Sequence, residues 1–239
     1  MHDSVPYSVP VRMPSATRPL LGLTILVVED SLYACDALRL LCLRSGARIR
    51  RADSLKSARR HLRIYRPSVM IIDLGLPDGS GLDLIEELDH AQPRVELILA
   101  TSGDDFVEDA AIAAGADGFL AKPLRSLCEF QQAILSRLPS PRAGPAVIAV
   151  GEDRIEPDPI AYQDDMAHVA DILSDHPDPQ MLDYVAQFVS GVARSAGDTE
   201  LVRAAERLSQ IRTASKPIAS EAARMAGLIQ NRLNHKQAI

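Results

Sequence analysis

The sequence contains no tryptophan, and aromatic residues make up only 4% of its 239 residues. A platform of stacked rings for single-stranded nucleic acid is therefore not expected. Cysteine is scarce as well. Cys35, Cys42 and Cys128 form an odd set without short paired spacing, which argues against a disulfide framework and against a zinc site. Cys35 and Cys42 share one face of any helix that carries both, so core packing in a reducing compartment is their expected use. No apolar run approaches the length of a membrane span. Residues 1–19 lack an apolar signal core and contain Pro6, Pro10, Pro14 and Pro19, so residues 1–20 are expected to be a flexible leader rather than a signal peptide, in a cytoplasmic protein. A positive excess is missing too: the net charge is −6 and does not advertise a phosphate-backbone partner.

Apolar residues are plentiful, at 46%, and they are arranged with a clear alternation. Leu23–Val28, Val69–Asp73, Val95–Thr101 and Gly118–Ala121 read as buried strands, and Ala47–Ala52, with three arginines, as an edge strand. Helical stretches follow each of them: Leu32–Leu43 with Ser31 as its cap, Ser54–Tyr65, Gly81–His90, Val107–Ala114 and Leu124–Leu138. Five β-α units in succession predict an α/β fold, a doubly wound five-stranded parallel sheet over residues 21–138. Prolines at 139, 141, 145, 157 and 159 predict a linker over 139–161, in which Val147–Val150 could be a short strand or a docking segment. Beyond it the strand signals stop. Helical stripes at Met166–Leu173, Met181–Val192, Leu201–Leu208 and Met225–Leu233 predict a small all-α region over 162–239. The second stripe could be bundle core, the default, or a dimer seam.

Parallel strands bring their C-termini to one edge. Strand one ends in Glu29-Asp30 and strand three in Asp73, so three carboxylates meet there and need a compensating cation; a partly solvated oxygen site of this kind suits Mg²⁺. The fourth strand delivers the Thr101 hydroxyl, and the fifth ends near Lys122. A carboxylate nucleophile, a divalent cation, a hydroxyl donor and a lysine together suit phosphoryl transfer, with Asp73, the central carboxylate, as the attacking group. Singly, Asp30 or Thr101 could be a helix cap or loop residue and Lys122 a solvated lysine. Their joint occurrence on the ends of four strands is what carries the reading.

The stretches Ile25–Asp30, Ile71–Gly81, Leu99–Ser102 and Gly115–Pro123 resemble, in order, the receiver domain of two-component response regulators. The resemblance covers about half the chain. It implies a flavodoxin-like strand order 2-1-3-4-5, with Asp73 as phosphoacceptor and Mg²⁺ held by Glu29, Asp30, Asp73 and the Gly75 carbonyl. It implies that Lys122 contacts the phosphoryl group and that Thr101 and Phe119 are switch positions. Glu29 stands where Asp is commoner and Ser102 where Ala or Gly is usual. The implied phosphodonor is a sensor histidine kinase or a histidine phosphotransfer protein. The implied chemistry is transfer to the chain itself and autodephosphorylation, not turnover of a separate substrate. Loss of Lys122 is expected to leave the fold intact and uncouple phosphorylation from output.

The helical region resembles no output module. The stretch from Glu152 to Asp175 is acidic and the last third locally basic, with Arg203, Arg207, Arg212, Lys216, Arg224, Arg232 and Lys236, but no helix-turn-helix signature is present. Neither His168 nor His176 sits in a phosphotransfer-like sequence, and no enzymatic output signature is found. The expected function is a response regulator whose phosphorylation switches a helical protein-interaction or dimerisation module. The alternative is a transcription regulator with an atypical helical DNA-binding region.

Overall fold

The computed structural model describes residues 13–138, 154–175, 177–213 and 218–234. Strand β1 (Thr24–Val28) is followed by helix α1 (Leu32–Ser45), β2 (Arg48–Ala52), α2 (Leu55–Ile64) and β3 (Val69–Asp73). A two-residue hairpin, β4 (Gly75–Leu76) and β5 (Gly79–Ser80), leads into α3 (Gly81–Asp89). Then come β6 (Leu97–Ser102), α4 (Glu108–Ala113), β7 (Gly118–Ala121) and α5 (Leu127–Leu135). The large sheet is parallel throughout, in the order β2-β1-β3-β6-β7. With the hairpin set aside, this is the expected 2-1-3-4-5 arrangement.

The fully buried runs of β1, β3 and β6 place alternate side chains into two cores. Ile25, Val27, Ile71 and Leu99 pack with Leu38 and Leu41 of α1 and with Phe130 and Ile134 of α5. Leu26, Val28, Met70, Ile72 and Ile98 pack on the opposite face with Leu55 of α2, Leu84 and Ile85 of α3, and Ala111 of α4. This period of two across both faces is what a doubly covered parallel sheet requires. β2 lies at the edge with its arginines largely exposed. The helix starts obey local rules: Ser31, Ser54, Ser80 and Ser126 each accept a backbone N–H from the following turn. Cys35 and Cys42 are buried in the core as free thiols, and burial pushes the Cys42 thiol up to about 12.

Two boundaries differ from expectation. Leu20 is fully buried in the first core and its N–H donates to the Ser45 carbonyl, so the end of the expected leader is packed in place. Residues 1–12 lie outside the described residues, as does Val147–Val150. Within the expected linker, Ile155 is buried against the receiver-side core and donates to the Arg125 carbonyl. The first C-terminal helix begins at Pro159, earlier than residue 162, because Asp158 caps it and proline suits its first position.

Four helices follow: α6 (Pro159–Ser174), α7 (Pro179–Ala196), α8 (Thr199–Thr213) and α9 (Ile218–Asn234). Met166, Val169, Val185, Val189, Val192, Leu201, Leu208, Met225 and Ile229 form their common core, which settles the Met181–Val192 stripe as bundle interior for most of its length. Among the described residues no helix is long and apolar enough to cross a membrane. Asp198 ties three of these helices together. Its carboxylate accepts from the Leu201 N–H, from Tyr162 Oη at 3.0 Å and from the Arg232 guanidinium at 2.9 and 3.1 Å. Asp198→Ala removes a cap and leaves Arg232 short of its main partner, so it should lower stability by about 2–3 kcal/mol. A urea midpoint equal to the wild type would contradict that role.

Candidate functional site

The C-terminal edge of the sheet brings Glu29, Asp30, Asp73 and Lys122 together. Register pairing puts Asp73 beside Thr101 and Ser102 beside Ala121, so the ends of β3, β6 and β7 are level. Glu29 and Asp30 leave β1 on the same edge. One carboxylate oxygen from each of Glu29, Asp30 and Asp73 lies within 4.8 Å of the others. Lys122 Nζ reaches into the cluster, 2.7 Å from Glu29 Oε2 and 3.2 Å from Asp73 Oδ2, with only 7% of its side chain exposed.

Three carboxyl groups face a single ammonium on this edge, and full ionisation would leave it short of cations. Burial pushes the Glu29 carboxyl up to about 8, with Lys122 opposing the rise and Asp73 and Asp30 adding to it. Burial, then the charge of Asp73, pushes Asp30 up to about 7. Burial alone would lower the Lys122 ammonium, but the Asp73 and Glu29 carboxylates outweigh it and hold the group above the ordinary lysine range. Asp30 Oδ1 is buried and has no hydrogen-bond partner among the described residues. An orphaned carboxylate oxygen inside an all-oxygen cluster fits a hard divalent cation held by Asp30, Asp73 and a backbone carbonyl.

A family model described as the response regulator receiver domain matches residues 25–134. This stretch is a receiver domain. Among curated relatives, the KDP operon transcriptional regulatory protein KdpE of Escherichia coli (strain K12) is 32% identical over 99 residues, 41% of this chain and 44% of the relative. TcrX of Mycobacterium tuberculosis, a probable transcriptional regulatory protein by its name, is 35% identical over 102 residues, 42% and 43% of the two chains. The solved receiver domain of NtrX from Brucella abortus is 27% identical and covers 41% of this chain and 85% of its own, with a TM-score of 0.39. The chain spans under half the length of these two curated relatives.

Within the receiver domain, Glu29, Asp30, Asp73, Gly75 and Lys122 line one open cavity of about 630 Å³. Thr101 does not join them. It is fully buried, and its hydroxyl donates to the Leu120 carbonyl at 2.7 Å, across to β7; Ser102 lines the cavity instead. Phe119 is half-buried and packs on the second core, away from the carboxylates.

Sequence reading missed the other wall of the cavity, which comes from the helical region. Tyr184 Oη donates to Asp30 Oδ2 at 2.7 Å. Asp165 of α6 accepts from Ser31 Oγ at 2.7 Å and from the backbone N–H groups of Leu32 and Tyr33 at 2.8 and 3.1 Å, so a carboxylate distant in sequence caps the start of α1. Tyr33 in turn lies in the bundle core, edge-on to Tyr162. Arg194 donates to the Gly103 carbonyl and Arg125 to the Ser195 carbonyl. The signal available in the sequence was faint: Tyr184, Gln187, Gly191 and Arg194 recur at helical spacing beside the apolar stripe of α7, a second face that a simple bundle helix does not need.

Proposed function

We propose that this chain is a two-component response regulator that accepts a phosphoryl group on Asp73 from a phosphohistidine of a histidine kinase or phosphotransfer protein. The observation that carries this reading is Asp73, ion-paired to Lys122 and within reach of two further carboxylates at the end of a parallel sheet. Asp73 attacks phosphorus, the nitrogen–phosphorus bond breaks and the imidazole leaves. Lys122, shared at present between Glu29 and Asp73, can follow the charge onto the phosphoryl oxygens. Asp30, Asp73 and the Gly75 carbonyl, with Glu29, are the groups that would hold Mg²⁺, which would supply positive charge for the transfer. The chain acts on itself in this scheme and turns over no separate substrate.

The output then follows from where α6 and α7 sit. A phosphoryl group adds about 1.5–2 negative charges and three acceptor oxygens to the cavity that α7 walls on one side. Thr101 has to leave the Leu120 carbonyl to reach it, and Phe119 is the residue that moves with it. Phosphorylation thereby shifts the balance between docked and released helices, to the extent that the phosphorylated pocket favours one of them. The released helices would be the protein-interaction or dimerisation surface.

Asp165→Ala should mimic release. It strips the partner from two backbone N–H groups and a buried hydroxyl, a loss of about 2–4 kcal/mol of docking. Hydrogen exchange at Leu32 and Tyr33 should speed up severalfold, and small-angle scattering should report a longer particle. Beryllofluoride with Mg²⁺ should move the wild type the same way. An exchange pattern and scattering curve unchanged by both treatments would rule out docking as the switched element.

The runner-up is a transcription regulator that binds DNA through the helices, and the names of the curated relatives favour it. Their match stops at the receiver domain. The basic face is also thinner than its sequence implies, since Arg232 is committed to Asp198 and Glu200 and Arg224 lies 3.7 Å from Glu221. A DNA shift that weakens steeply with salt would support this second reading.

A further inference from the structure

Helix α7 presents two faces. Val185, Val189 and Val192 point into the bundle, while Tyr184, Gln187, Gly191 and Arg194 form a stripe toward the receiver edge. Gly191 has no side chain, and two of the other three have a fixed purpose there: Tyr184 binds Asp30 and Arg194 binds the Gly103 carbonyl.

Gln187 is the exception. Its side chain is on the exposed side of α7, and its amide makes no hydrogen bond to any described residue. Yet it is laid directly against Gly75, two residues beyond Asp73. A Cβ on Gly75 would sit 2.5 Å from Gln187 Nε2 and 2.6 Å from its Cδ, so the space the amide uses exists only because residue 75 is glycine. Gln187 and Gly75 line the same cavity as Asp73, Lys122, Glu29 and Asp30. A neutral amide that lines this open cavity, with its donor and acceptor unpartnered among the described residues, can hold a water there without adding charge to a pocket already rich in carboxylates.

We propose that Gln187 is a catalytic residue supplied in cis by the helical region, which positions the water that hydrolyses the Asp73 phosphoryl group. The inference rests on Asp73 being the phosphoacceptor. Gln187 Oε1 accepts a hydrogen bond from the water and Nε2 steers its oxygen or a phosphoryl oxygen, as positioned glutamines do in other phosphoryl hydrolases. The water oxygen bonds to phosphorus and the bond from phosphorus to the Asp73 oxygen breaks. The electron pair returns to the carboxylate, and both water protons leave on dihydrogen phosphate. Gln187 neither gains nor loses a proton. Gln187 would then act in the docked fraction of the phosphorylated chain, so that release of the helices prolongs the signal and re-docking ends it.

The test follows decay of protein-bound phosphate in the full chain. The chain is labelled with radioactive acetyl phosphate and Mg²⁺, and the donor is then removed. Gln187→Ala and Gln187→Met should both label and should both lose phosphate roughly ten- to a hundredfold more slowly than the wild type. Met keeps the bulk of the side chain and removes its hydrogen bonds, which separates water positioning from simple filling. Decay of Gln187→Met at the wild-type rate, or faster decay of either variant, would overturn the proposal and leave Asp73 as acceptor untouched. Failure of the wild type to label at Asp73 would instead remove the acceptor reading, and this inference with it.

Discussion

Asp73→Asn is expected to reduce labelling by acetyl phosphate with Mg²⁺ from near one phosphoryl group per chain to background, the largest effect of any single substitution in the protein. The amide keeps the shape of the carboxylate and its place at the end of β3, opposite Thr101. It removes the anionic nucleophile, and a neutral amide oxygen or nitrogen does not form an acyl phosphate under these conditions. No neighbour is placed to replace it. Glu29 is fully buried and held by Lys122, and the unpaired Asp30 Oδ1 is itself buried, so neither presents an accessible oxygen to a donor entering the cavity. Asp73 remains slightly exposed, at 8%, and faces the opening. Glu29→Gln and Asp30→Asn should therefore slow labelling through the loss of cation binding without abolishing it. Intact-mass measurement after donor treatment decides the matter: undiminished incorporation in Asp73→Asn would sink the assignment of the acceptor.

Much of the receiver domain was legible because its rules act over short distances along the chain. Val69–Asp73 and Gly118–Ala121 have the bounds that their apolar runs imply, and Ser31 and Ser54 cap the helices they precede. The site was legible for a topological reason, since parallel strands must end together. Two parts were not. The Thr101 hydroxyl turns to the Leu120 carbonyl, a rotamer choice made by a neighbouring strand that no spacing reveals. The docking of the helices was hidden because the residues that make it look like surface. Asp165 stands in an acidic run that reads as solvated, and Tyr184 is one of several side chains in an apolar stripe. Each acquires its partner only when α6 and α7 cross α1 and the hairpin. Long-range polar contacts of this kind leave no period in the sequence.

Lys122 is where the structure most changes what a substitution should do. Read from the sequence, it is a phosphate-contacting residue whose loss spares the fold and uncouples output. In place, it is a buried ammonium, the one cation lying between Glu29 and Asp73 among the described residues. Lys122→Met keeps the volume and removes the charge, so the carboxylates repel one another in a poorly solvated pocket. Breaking a buried ion pair in this way costs roughly 3–5 kcal/mol. Protonation offers partial relief, because Glu29 and Asp30 are already pushed up to about 8 and 7 and take up a proton near neutrality at little cost. The net loss at pH 7 should thus fall near the lower end, about 3 kcal/mol, or roughly a 6–12 °C fall in Tm for a chain of this size. Raising the pH to 9 should enlarge the deficit, since protons are then harder to hold on the two carboxylates. Millimolar Mg²⁺ should close most of the gap, because it returns positive charge to the same oxygens. Denaturation of both proteins in EDTA and in Mg²⁺ separates these terms. Equal stability in EDTA would mean that the carboxylates tolerate each other without Lys122, and a deficit that Mg²⁺ leaves unchanged would mean that the cluster does not hold the cation.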